Sequence, residues 1–93
     1  MATDDRADSA APIRLDKWLW HARFFKSRSL ASGAVSQGRM RLNGQVIAKP
    51  AQPVRPGDVL TFTLGSRVVV VRLLAPGSRR GPAPEARALY EDL

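Results

Sequence analysis

The sequence predicts an α+β domain: two packed helices, then a small and mainly antiparallel sheet, then a short C-terminal helix. Three observations carry this. Between Leu15 and Val35 the apolar residues recur at the spacing of a helix face. Past Gly38 the period shortens to two. Asn43-Gly44, Pro56-Gly57-Asp58 and Gly65-Ser66 then punctuate the chain with turn residues.

Residues 1–12 mix Ala, Asp, Ser and Thr without apolar periodicity and are expected to form a disordered tail. The first helix is expected over about Leu15 to Arg23, because Leu15, Trp18, Leu19 and Ala22 fall at i, i+3, i+4 and i+7. Asp16 in its first turn suits the positive end of the helix dipole. Phe24 to Lys26 form a connector, and Ser27 stands where a helix N-cap belongs. The second helix, about Arg28 to Gln37, offers Leu30, Ala31, Ala34 and Val35 as its apolar face, and Gly38 is placed to end it in a left-handed conformation. Gly33 inside it costs about 1 kcal/mol relative to alanine, so packing must sustain this helix.

Met40 and Leu42 then point one way and Arg39 and Arg41 the other, with Asn43-Gly44 as a two-residue hairpin turn into Gln45 to Ile47. Lys49 to Pro56 contains three prolines and reads as an extended loop without regular pairing. Strands follow at Val59 to Leu64 and Arg67 to Leu74. The run Val68 to Val71 suggests a strand covered on both faces, or a sheet core with the tail packed on it. Ala75 to Pro84 is a loop, and Glu85 to Asp92 is expected to be helical. The chain thus divides into a tail (1–12), a domain (13–74) and a loop with a helical tail (75–93).

Charge narrows the function. From Ile13 to Arg80 there are thirteen Arg or Lys against two acids, Asp16 and Asp58, a local net charge of +11 within a chain of +7. A compact domain this basic repels itself, and a polyanion relieves the repulsion, so the expected partner is a nucleic acid, with RNA and DNA in the same electrostatic class. Ninety-three residues allow one modest core. There is no cysteine and one histidine, His21, which excludes thiolate metal sites and cysteine nucleophiles. His21 has no carboxylate to orient it and reads as a surface polar contact. No catalytic residue, metal or cofactor is expected. No apolar run is long enough to cross a bilayer, and a cytoplasmic monomer is the expectation.

The pieces Arg14-Leu15-Asp16-Lys17, Ser27-Arg28, Gly38-Arg39-Met40-Arg41-Leu42-Asn43-Gly44 and Pro56-Gly57-Asp58-Val59, in this order and spacing, resemble the S4-type RNA-binding domain. The segments Trp18 to Lys26 and Arg79 to Tyr90 are similar to the heat-shock protein 15 family within it. The resemblance implies the S4-like fold and a stand-alone protein that grips structured RNA. In that family it also implies action on free large ribosomal subunits carrying stalled peptidyl-tRNA, with rRNA and tRNA as partners. The RNA face it implies is Arg14, Lys17, Arg23, Lys26, Arg28, Arg39, Arg41 and Lys49. Any one of these alone reads equally as a solvated surface charge.

Arginine suits the task, since its planar fork binds phosphate bidentately, and twelve of the fifteen cations are arginines. Arg28 also lies beside the free N–H groups of a helix N-terminus. Trp18 falls on the core face. Trp20 falls near the opposite side of the helix, where it is either a candidate base-stacking residue or cover for Leu89 and Tyr90. Ser32 and Gly33 depart from the family, which often has lysines there. A constitutive ribosomal component or a protein–protein module would share the fold and stays open, whereas pseudouridine synthase or tRNA synthetase activity would need a further catalytic domain.

Overall fold

The computed structural model describes residues 12–93; the expected tail lies, but for Pro12, outside the described residues. In chain order the elements are β1 (Ile13–Arg14), α1 (Leu15–His21), α2 (Arg28–Ser36), β2 (Met40–Leu42), β3 (Gln45–Ile47), β4 (Pro53–Val54), β5 (Val59–Leu64), β6 (Arg67–Leu73), α3 (Ala83–Arg87) and β7 (Tyr90–Asp92). Five strands form one antiparallel sheet in the order β3-β2-β5-β6-β7, and β1 pairs with β4 in a separate two-stranded ladder. The α+β architecture, two helices and then an antiparallel sheet with a short helix near the C-terminus, is as the sequence predicts.

One side of the sheet and the inner faces of the helices close the core. Leu15, Trp18, Leu19 and Ala22 of the first helix and its end, Ala31 and Val35 of α2, and Met40, Leu60, Phe62, Val69, Val71 and Leu73 of the sheet are all buried. At about 25 cal/mol per Å2, burying each of these larger side chains contributes about 1.5–3 kcal/mol, the dominant force holding helices to sheet.

Local chemistry sets the element ends. Ser27 Oγ accepts from the Leu30 N–H at 3.1 Å, the expected N-cap of α2. Asn43 (φ 51) and Gly44 (φ 86) make the tight turn of the β2–β3 hairpin. Asn43 also reaches across to the next turn: its Nδ2 donates to Asp58 Oδ1 at 3.1 Å and its Oδ1 accepts from the Val59 N–H at 2.9 Å. The Asn43-Gly44 and Pro56-Gly57-Asp58 turns are therefore one hydrogen-bonded unit.

Four expectations are corrected. The proline-bearing loop is not free of pairing: Pro53 and Val54 bridge to Arg14 and Ile13, and the Gln52 and Pro50 carbonyls accept from the Leu15 and Asp16 N–H groups at 2.9 and 3.1 Å. This loop thereby caps α1, which lacks a side-chain cap of its own. Glu85 to Asp92 is not one helix, because α3 stops at Arg87 and Tyr90–Asp92 pair with Val71 to Leu73. Of the two readings of Val68 to Val71, cover on both faces is the one that fails, since Val69 and Val71 are buried whereas Val68 is 64% exposed; the C-terminal segment does pack on this strand, Asp92 pairing with Val71. His21 is buried rather than on the surface, its Nδ1 donating to the Pro76 carbonyl at 3.2 Å.

Candidate nucleic-acid interface

The first helix begins inside a small ionic cluster. Asp16 is 3% exposed, and its carboxylate accepts from Arg14 Nε and Nη2 at 3.0 and 2.9 Å while Arg28 Nη2 lies 3.8 Å away. Arg14 belongs to β1, Asp16 to the first turn of α1, and Arg28 to the first turn of α2. Three elements thus meet at one carboxylate, which is hydrogen-bonded to Arg14 and ion-paired with Arg28, and both arginine side chains remain about half exposed. A guanidinium carries five N–H donors, so each half-exposed arginine keeps donors beyond those facing Asp16, of the kind that binds phosphate. Burial pushes the Asp16 carboxyl upward. The Arg14 hydrogen bonds, the charges of Arg14 and Arg28 and the Lys17 backbone N–H outweigh burial and hold it below the usual carboxylate range.

The helix dipole alone therefore does not account for Asp16. The signal in the sequence was its isolation: it is the only acid among seven cations between residues 13 and 41. Chain distance hid the arrangement, since Arg28 approaches only because α2 packs against α1.

The other candidate residues occupy several elements. Lys17 is half-buried on α1, Lys26 is exposed in the connector, and Lys49 is exposed in the loop that caps α1. Arg39 is exposed just before β2, beside Ala34 and Gln37 at the end of α2. Arg41 lies on the outer face of β2 between Val46 and Thr61, its Nη1 3.5 Å from the Gly44 carbonyl. None of these five forms an ion pair among the described residues. Arg14 and Arg28 are brought together by Asp16, whereas no hydrogen bond or ion pair joins them to Arg39 or Arg41.

Arg23 stands apart. It takes a left-handed conformation (φ 65) past the end of α1, and its Nε donates to the Gly81 carbonyl at 2.6 Å, so this cation anchors the C-terminal segment. Trp20 is half-buried beside His21, with ring centroids 5.6 Å apart. It is not the cover for Tyr90: that ring packs on Phe24 at 4.7 Å and edge-on to Trp18 at 6.5 Å.

Comparisons with known proteins bear on family and fold. The S4 domain family matches residues 13–60. The heat shock protein 15 homolog of Aeromonas salmonicida is 41% identical over 86 residues, covering 92% of this chain and 64% of that protein. The RQC P-site tRNA stabilizing factor of Listeria monocytogenes is 38% identical over 85 residues, covering 89% of this chain and 91% of that protein. Among solved structures, the trimeric heat shock protein 15 of Vibrio cholerae superposes with a TM-score of 0.83 at 41% identity, covering 89% of this chain and 83% of that one. The chain spans less than two thirds of the length of the first curated relatives it matches, 64% for the Aeromonas protein. On the family match, the identities and the shared architecture together, the chain belongs to the S4 domain family and, within it, to the heat-shock protein 15 family.

Proposed function

We propose that this protein binds structured RNA through the cations gathered around the helix pair and the first hairpin, and that its working partners are rRNA of the large ribosomal subunit and tRNA. The observation that carries the reading is the Arg14–Asp16–Arg28 cluster: a buried carboxylate hydrogen-bonded to one half-exposed guanidinium and ion-paired with a second at 3.8 Å, in a domain that also presents Lys17 and the exposed Lys26, Arg39, Arg41 and Lys49. A-form RNA hides its base edges in a deep groove, so a shape-reading protein must grip phosphates and 2′-hydroxyls with a fixed, spaced array. Held arginines lose little freedom on contact, and free lysines adapt at the edges. Trp20 is the candidate for stacking on an unpaired base.

The Listeria relative is named as stabilizing a P-site tRNA, and the Aeromonas and Vibrio relatives as heat shock proteins. These names support a factor that acts on free large subunits retaining peptidyl-tRNA. Two partial phosphate surfaces, one on rRNA and one on tRNA, would then be joined by one molecule, raising avidity without base-specific contacts. One copy of the chain contains every residue in this array.

Cosedimentation tests the proposal with three particles: purified vacant large subunits, the same subunits loaded with peptidyl-tRNA, and intact ribosomes. Tighter binding to the loaded subunit is expected. Equal binding to all three would reject the stalled-subunit role and favour a constitutive ribosomal component, and binding to none would reject the ribosomal partner.

A further inference from the structure

A groove lies along the seam of β6, α3 and the connector after α1, away from the cluster around Asp16. Arg23, Arg67 and Arg87 stand at its rim, and Phe24, Ala86 and Tyr90 line it. It encloses about 230 Å3 and continues, past Phe24, Arg67, Arg87 and Tyr90, into a hollow of about 430 Å3 beside Val68 to Val70. All three arginines are exposed. Among the described residues Arg67 and Arg87 form no ion pair, and Arg23 commits only its Nε, to Gly81. The one acidic side chain in the lining, Asp92, sits in the second hollow. The half-buried Phe24 and Tyr90 rings lie 4.7 Å apart at 45° and form an aromatic wall between the cations.

Uncompensated guanidiniums around aromatic rings make a combination with a specific use. An unpaired nucleotide offers a π-face for the rings and a phosphate for the cations, and its stacking tolerates any base. A duplex keeps its bases stacked and cannot present them to rings lying inside a groove. An acidic peptide would satisfy the arginines and leave the aromatic wall without a matched partner.

We propose that this groove is a second nucleic-acid site, which takes unpaired RNA nucleotides with a base against Phe24 and Tyr90 and phosphates on Arg67, Arg87 and the free end of Arg23. This rests on the RNA-binding reading above and adds a site to it. Arg67 lies on β6 and Arg41 on β2, with β5 between them, so the two surfaces can engage separate RNA segments at once. Arg67, which by sequence merely follows a turn, and Arg87, which lies beyond the S4 match, have no signal in the chain that would group them.

The test is fluorescence anisotropy of a short labelled oligouridylate and of a labelled RNA hairpin against the intact protein and the Arg67→Ala/Arg87→Ala variant. The variant should bind the oligouridylate roughly tenfold more weakly and keep its hairpin affinity to about twofold. Arg39→Glu should show the converse pattern, and matched thermal melts exclude unfolding as the cause. Replacing uridine with 4-thiouridine should give a photocrosslink to Phe24 or Tyr90. Hairpin binding with an oligouridylate affinity indifferent to Arg67 and Arg87 overturns the groove alone; failure of both RNAs to bind overturns the RNA-binding reading and the groove with it. A glutamate-rich peptide that binds the intact protein but not the variant, where the oligouridylate binds neither, would make this a peptide site instead.

Discussion

Asp16 places a negative charge in a surface that otherwise gathers positive ones, and geometry explains why it is useful there. A free arginine samples many rotamers and must be ordered when it meets phosphate; Arg14 is already held by two hydrogen bonds of 2.9–3.0 Å. Asp16→Asn should therefore weaken RNA binding, by roughly fivefold, even though it raises the net charge by one unit. A filter-binding comparison decides, since a protein held to RNA by diffuse charge would bind more tightly after the same change. The stability effect has a defined sign. The folded-state carboxyl is held below its ordinary value, so its contribution is fully present above about pH 4 and is lost as pH falls through the depressed folded value. Thermal melts of the protein and of Asp16→Asn should differ at neutral pH and converge in acid.

At the scale of elements, contacts close in sequence were legible and distant ones were not. The spacing of Leu15, Trp18, Leu19 and Ala22 located α1, Ser27 located the start of α2, and Asn43-Gly44 located the hairpin, because each signal is complete within a few residues. The strand at Tyr90–Asp92 was read as helix. Its local sequence is compatible with one, and only β6 and the Trp18 and Phe24 rings determine that Tyr90 pairs with Leu73. The β1–β4 ladder is two residues long on each side, too short for any periodicity to register. The cations of the candidate interface were legible as residue types. The carboxylate that organises two of them was not, since its role depends on the approach of α2.

The C-terminal segment depends on one close approach. Gly77 has φ +72, and a Cβ there would lie 2.9 Å from Leu89 Cδ1 and 3.4 Å from His21 Nδ1. Gly77→Ala should cost about 2 kcal/mol, combining left-handed strain with the displacement of Leu89. Gly65→Ala, at φ +62 in open space, should cost about 1 kcal/mol from the backbone alone. Urea unfolding of the two variants measures the difference. Faster amide exchange at Leu74, whose N–H is bonded to the Leu89 carbonyl, would locate the loosening in the tail.

The whole molecule is a small core beneath a strongly basic shell. The +11 of residues 13–80 is offset by acids concentrated outside that stretch, and two of these, Glu85 and Glu91, are engaged by Arg79 and Arg72 at 2.9 Å. Among the described residues the Arg14, Lys17, Lys26, Arg39, Arg41 and Lys49 side chains have no such partner beyond Asp16, which is where a polyanion would relieve the repulsion. No helix among the described residues is long and apolar enough to cross a membrane. Charge distribution, rather than total charge, is what the RNA-binding claim rests on.

A salt titration of affinity for a structured RNA tests that claim most directly. With about five phosphates neutralised, log K should fall against log salt with a slope of about −3 to −5. Arg39→Glu should make that slope shallower by about 1, whereas Arg72→Ala, at a cation already paired with Glu91, should leave it nearly unchanged. A slope near zero for the intact protein, or equal changes at Arg39 and Arg72, would contradict the assignment of RNA binding to the Arg-rich helix and hairpin surface.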